Sequence, residues 1–361
     1  MTFTNRLFGK LFSSEPQTKQ TPSTPVSVPE TQVLSSIAAQ PKITPPAKKD
    51  MNDKDCRLLG DSFSDFLLEV SIQDELPPNE AELSIIKKLE QFMAGDIPDS
   101  AVPRLPAVGM MLIKELADKN VTQECILDHL KQDPAITLEV LRMANSPSFR
   151  VGQEPIENLD RAVLMLGFNT LRMVINVVLF KDMMNIPPIY FKMYGQYLWK
   201  HSVDCAQACQ TLSRHSGTAD PFNAYIVGLL HDVGKLIIFR LLVDTLRKNP
   251  DINPRGCVFS NIVSQHSMEL SIKMARQWDM PDYLLLAFEE QINEKSYGEC
   301  STYGFILKQA NAAAEFKLIA ETSVKDQAKL EELLERYSMP VQLLQTAFPK
   351  ESEVFLALLD S

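Results

Sequence analysis

The chain is poor in several features that mark other classes of protein. Only 13 of its 361 residues are glycine. A turn-rich β fold uses more, so helices are favoured. No apolar run approaches the ~20 residues that a bilayer-spanning helix requires. The first residues lack the apolar core of a signal peptide. The expectation is a cytoplasmic protein with no transmembrane segment. Six cysteines, Cys56, Cys125, Cys205, Cys209, Cys257 and Cys300, include no C-x-x-C pair. That reads as reduced thiols and not as a disulfide framework. Basic charge is also short: 36 Lys and Arg stand against 46 Asp and Glu, a net of −10. General nucleic-acid binding needs a basic face to neutralise phosphates, so that class is set aside. The remaining composition, 45% apolar and 23% charged, is that of a globular protein with a large core.

Residues 1–50 hold 7 Pro and 13 Ser or Thr. Such a stretch cannot bury enough apolar surface to fold, so a disordered tail is expected over 1–55. Phe3, Leu7, Phe8, Leu11 and Phe12, with Arg6 and Lys10, make one short amphipathic piece within it. A membrane or partner contact there is the alternative to a frayed end. Residues 1–55 carry 7 Lys and Arg and 5 Asp and Glu, which leaves −12 for the remainder.

After the tail, helical periodicity dominates. Phe63, Phe66, Leu67 and Val70 recur at helical spacing, as do Leu83, Ile86, Leu89 and Met93. Pro77-Pro78 separates the two segments. A denser block follows, in which Asp133-Pro134 resembles an N-cap with Pro at the first helical position. Leu171, Val174, Ile175, Val178 and Leu179 give the i, i+3, i+4, i+7, i+8 stripe. Pro187-Pro188 marks the next boundary. Beyond it, His201 sits in an apolar stripe with Leu198 and Cys205, and His266 sits in another with Ile262 and Leu270. Both should point inward. His129 and His215 lie among polar neighbours and read as surface residues. Acidic helices close the chain.

One stretch organises the rest: Tyr225-Ile-Val-Gly-Leu-Leu-His231-Asp232-Val-Gly-Lys235. Asp220-Pro221 should start a buried helix that runs to about His231, with Gly234 in the turn after it. An imidazole nitrogen and a carboxylate side by side suit Zn, Fe or Mn. A His and an Asp that only bond each other at a helix end is the other reading. His201, Cys205 and Cys209 also share one face, but i to i+8 spans ~12 Å, too far to meet one ion.

Further segments occur in order with this one. They are Pro103-Arg-Leu-Pro106, Gln132-Asp-Pro134, Leu141-Arg-Met-Ala-Asn145-Ser146, Leu164-Met-Leu-Gly167, Trp199-Lys-His201-Ser and Trp278-Asp-Met-Pro281. Together they resemble the HDOD family, bacterial regulatory proteins related to the HD phosphohydrolases, over about residues 101–312. The resemblance implies an all-α fold of two packed helical halves, the second HD-phosphohydrolase-like. With the periodicity on either side of it, the chain is expected to divide into an extension at 56–100, an HDOD domain at 101–316 (halves 101–187 and 188–316) and acidic helices at 317–361. The resemblance also implies a role in signal transduction, with partners in trans such as response regulators or cyclic-di-GMP signalling proteins.

Carried over residue by residue, the HD-type ligands map onto His201, His231 and Asp232. The last ligand falls at Asn311, where the family more often has Asp. An amide is neutral, so the site loses an anionic donor. Glu289 and Glu290 stand where a His-His pair is often found, and His266 is a further accessory candidate. Lys235 is the natural contact for a phosphate. The expected reading is a degenerate site with no cofactor in a non-catalytic protein. The alternative is a phosphohydrolase using Mn, Fe or Zn on nucleotides or a cyclic dinucleotide.

Overall fold

The computed structural model describes residues 51–70, 77–98, 112, 115, 121–132, 134–146, 154–183, 193–248, 255–292, 300–324 and 326–349. Among these, every regular element is an α-helix. The expected tail and its amphipathic piece lie outside the described residues up to 50. At its end the tail expectation needs correcting. Asn52 caps a helix, α1 (Asp53–Leu67), by accepting from the Asp55 amide. Asp53 and Asp55 in the first turn favour the positive end of the helix dipole.

A capping box starts α2 (Glu80–Ala94). The Asn79 side chain accepts from the Glu82 amide, and Glu82 accepts from the Asn79 amide. Four shorter or mid-length helices follow: α3 (Gln123–Gln132), α4 (Pro134–Ala144), α5 (Leu159–Leu166) and α6 (Phe168–Met183). Gly167, at φ 73°, separates α5 from α6 with a backbone that other residues rarely adopt. The stripe Leu171, Val174, Ile175, Val178, Leu179 is buried as its spacing requires. Pro187-Pro188 lies outside the described residues.

The larger group comprises α7 (Tyr194–Ser216), α8 (Pro221–Leu230), α9 (Val233–Arg247), α10 (Gly256–Gln277), α11 (Asp282–Ile292) and α12 (Thr302–Ser323). Helix α8 is buried on all sides, and packs on α7, α12 and α6. Asp220 caps it, accepting from the Phe222 and Asn223 amides, and Pro221 occupies its first position. Arg172 of α6 lies over the Phe222 ring at 3.8 Å, which ties the two groups together. Two close, α13 (Gln327–Arg336) and α14 (Val341–Ala347), complete the described chain. The boundary expected at 316 falls inside α12, which continues to Ser323.

Among the described residues, the main packing of helices α1 and α2 is not on the α3–α6 group. They pack on the other one, α1 against α10 and α12, and α2 against α9 and α10. The ties are polar as well as apolar. Lys308 reaches Asp53 at 2.6 Å, Lys88 donates to Thr245, and Arg255 pairs with the buried Glu82. This placement covers the surface where the chemistry-bearing residues gather.

Candidate functional site

Helix α8 ends at Leu230, so His231 and Asp232 form the two-residue corner between α8 and α9. The corner is tight because two glycines allow close approach. A Cβ on Gly228 would lie 2.8 Å from backbone atoms of Cys205 and Ala206 on α7. A Cβ on Gly234 would lie 1.8 Å from the Ser267 carbonyl oxygen on α10. Gly234 is therefore not in the turn, as the sequence suggested, but in the first turn of α9. Its amide donates to Ser271 Oγ at 2.9 Å. Tyr194 fixes the same region by donating to the Lys235 carbonyl at 3.1 Å.

These packings bring four side chains from two helices and the corner to one point. His201 Nε2 of α7 lies 3.2 Å from Asp232 Oδ2 and 3.3 Å from His231 Nε2. Asn311 Oδ1 of α12 lies 2.8 Å from His231 Nε2 and 3.1 Å from His201 Nε2. His201, His231 and Asp232 are at most 3% exposed.

Proton positions follow from the partners. His231 faces an acceptor at each ring nitrogen, Gly228 O at 2.7 Å and Asn311 Oδ1 at 2.8 Å, so it donates at both. Burial opposes that charge, but the Asp232 carboxylate and Cys205 outweigh it and raise its pKa to about 9. His201 has no partner at Nδ1. Burial lowers it to about 4, so it is neutral. Burial also opposes the Asp232 anion, yet His231, Lys235 and His201 hold this carboxyl far below the usual range.

The other expected site residues fall elsewhere or act otherwise. Lys235 is not an open phosphate contact. It is 6% exposed, donates to Asp232 Oδ2 at 2.9 Å and lies 5.0 Å from the centre of the Phe63 ring. Glu289 pairs with Arg276 along an open groove. Glu290 is buried and accepts from the Ser301 amide and hydroxyl, bracing the start of α12. His266 is half-buried and faces Glu269 at 3.7 Å on its own helix. None of these three joins the cluster. Glu290 is held by Ser301 at the start of α12, and His266 faces Glu269 on its own helix, which spacing alone does not reveal.

Three contributors were missed. Glu315, one turn beyond Asn311, accepts from Asn311 Nδ2 at 3.1 Å and lies 4.0 Å from Lys235 Nζ. Burial pushes it up to about 7. Its signal was a lone acid inside the apolar run Ala312-Ala-Ala-Glu315-Phe316. Cys205, buried on α7 and read from the sequence only as packing, helps to raise the His231 pKa. Phe63 of α1 packs on the His201 ring at 4.5 Å between centroids; no local pattern announced that contact.

Donor spacing here suits an ion, since the nitrogens and oxygens lie about as far apart as ligands of one metal at ~2.0–2.2 Å. The charge does not suit a dication. The one firm anion, Asp232, is already matched by Lys235 and by His231. Beside the cluster, Asp53, Cys56, His231, Asn311 and Glu315 line a recess of about 140 Å³. Ligand sites are typically ~300–1,000 Å³, so this recess is smaller than most.

An all-α fold built around a His, a His-Asp corner and an inward residue from a later helix defines a protein of the HD-related helical class. The HDOD domain profile matches residues 102–293. The chain belongs to the HDOD family. It is 22% identical over 204 residues to YuxH of Bacillus subtilis (strain 168), an uncharacterized protein; the match covers 56% of this chain and 44% of YuxH, under half of that relative. Among solved structures it resembles an HDOD domain protein of unknown function from Geobacter sulfurreducens (22% identity, TM-score 0.50, 77% of this chain and 94% of that one). It also resembles a proposed phosphohydrolase from Shewanella amazonensis SB2B (22% identity, TM-score 0.51, 75% and 94%). At this identity the likeness concerns the fold. The matched residues end before α12, which supplies Asn311 and Glu315. Among the described residues no helix is long and apolar enough to cross a membrane.

Proposed function

We propose that this HDOD protein is a non-catalytic signalling module that acts by binding another protein. The observation that carries the reading is Lys235. Its ammonium lies 2.9 Å from Asp232 and supplies, from within the chain, the positive charge that an HD-type centre takes from metal. Asn311 withholds the second carboxylate, and Phe63 covers His201. The cluster then serves as an internally neutralised polar core that fixes α7, α8, α9 and α12 relative to one another. Buried polar groups need such partners whether or not they catalyse. Leu138 and Leu164, at 69% and 83% exposed, offer apolar contact to a partner, and the acidic balance suits a basic one. The division into an extension, an HDOD domain and C-terminal helices belongs to the same reading.

A second reading, a metal-dependent phosphohydrolase, is favoured by one observation: donor atoms of His201, His231 and Asp232 lie within 4.8 Å of one another. Assay of the full chain with Mn, Fe or Zn against phosphomonoesters, phosphodiesters and a cyclic dinucleotide separates the two. The expected result is no turnover above background, with Asp232→Ala, when folded, capturing the same lysate protein as the wild type. Metal-dependent hydrolysis that Asp232→Ala abolishes would replace the first reading by the second.

A further inference from the structure

A second convergence of donors lies outside the HD-type centre, at the start of α3. Cys125 and His129 are one turn apart and so share a face of that helix. Thr122 Oγ1 accepts from the Cys125 amide at 3.3 Å and holds the turn. Glu115, from the preceding segment, meets both side chains. Its Oε2 lies 2.7 Å from His129 Nδ1, and its Oε1 lies 3.8 Å from Cys125 Sγ. Cys125 Sγ lies 4.0 Å from His129 Nδ1. All three side chains are partly buried, His129 and Glu115 at 20% and 24% exposure.

We propose that Glu115, Cys125 and His129 bind a divalent transition-metal ion of the zinc class. Thiolate, imidazole and carboxylate are the three donor types that Zn²⁺ takes in proteins, at ~2.3, ~2.0–2.1 and ~2.0–2.2 Å. Two ligands at those lengths in a tetrahedron stand ~3.3–3.8 Å apart. The contacts to sulfur are close to that before any ion draws the groups together. A His-Glu ion pair alone would explain the 2.7 Å contact. It does not explain a thiol placed against both partners. Three protein ligands leave one position of a tetrahedral ion for water. Binding takes the thiolate, so the Cys125 proton leaves to solvent. The ion would cross-link the Glu115 segment to α3, within the family-matched residues but on the opposite half of the chain from Asp232.

Titration of the full, reduced chain with Co²⁺ tests this, because a cobalt-bound thiolate gives a near-ultraviolet charge-transfer band. The wild type should take up one equivalent with that band, and Zn²⁺ should remove it. Cys125→Ser, a near-isosteric change at a partly exposed position, should abolish the band, and Glu115→Gln should weaken Co²⁺ binding. Cys205→Ser, beside the HD-type centre, should leave the band intact. Absence of a band in the wild type overturns the proposal. So does a band that survives in Cys125→Ser or is lost in Cys205→Ser, with circular dichroism confirming the fold of each variant.

Discussion

At the scale of single residues, Lys235 decides what the buried cluster is. Its ammonium touches Asp232 and lies within 4.0 Å of Glu315. Lys235→Met keeps an unbranched side chain, one atom shorter, and removes its charge. Breaking a buried pair in this way costs ~3–5 kcal/mol, because a carboxylate is left uncompensated. If the lysine fills the role of a cation, added Mn²⁺ should restore part of that loss in Lys235→Met and leave the wild type unchanged. Urea denaturation with and without Mn²⁺ measures both. A variant that Mn²⁺ does not rescue would show that the lysine does not stand in for an ion. His201, His231 and Asp232 stood in motifs of fixed order, and Asn311 was placed only by the resemblance to the HD-type pattern. Glu315 and the half-buried His129 were not legible, since each finds its partner through the fold and not through its own neighbours.

At the scale of elements, local chemistry announced the helix starts. Asp220-Pro221 sits where capping rules place it, and the Asn79–Glu82 box, which the sequence reading passed over, obeys the same rules. The burial of α8 on every side was legible from its unbroken apolar run. What the sequence could not reveal was which helices touch. Gly234 is an example: its reason lies in α10, where the Ser267 carbonyl occupies the place of a side chain. Gly234→Ala should therefore separate α9 from α10 and displace the corner that holds Asp232. Overpacking typically costs ~1–3 kcal/mol, and a clash with backbone stands at the upper end. Thermal melts check the loss, and Gly217→Ala offers a contrast, since open space surrounds that position and only its φ of 65° opposes the change.

At the scale of the whole molecule, the buried charges make stability depend on pH. His231 keeps its proton to about pH 9 when folded, against 6.5 for the free side chain. The folded state then binds more protons between these values, so stability falls as pH rises through them. The contribution is whole below about 6.5 and gone above about 9. With one unit worth about 1.4 kcal/mol, it amounts to about 3 kcal/mol. Glu315, raised from 4.5 to about 7, acts in the same sense at lower pH, while His201, lowered to about 4, acts against it there. The alkaline side is thus the clear window. Urea midpoints should fall between pH 6.5 and 9, and His231→Asn should flatten that slope. An all-α fold was legible from the lack of strand alternation, but the seating of α1 was not, because nothing between Pro77-Pro78 and the later helices marks which group the extension joins. That seating has a kinetic meaning. With Phe63 laid on His201 and Asp53 held by Lys308, the ring has no contact with bulk solvent while α1 is docked. Any solute that reaches the His201 ring from that side does so only in the fraction of time that α1 is lifted. Its apparent affinity is discounted by that fraction, and its arrival rate is capped by the opening rate of one fifteen-residue helix.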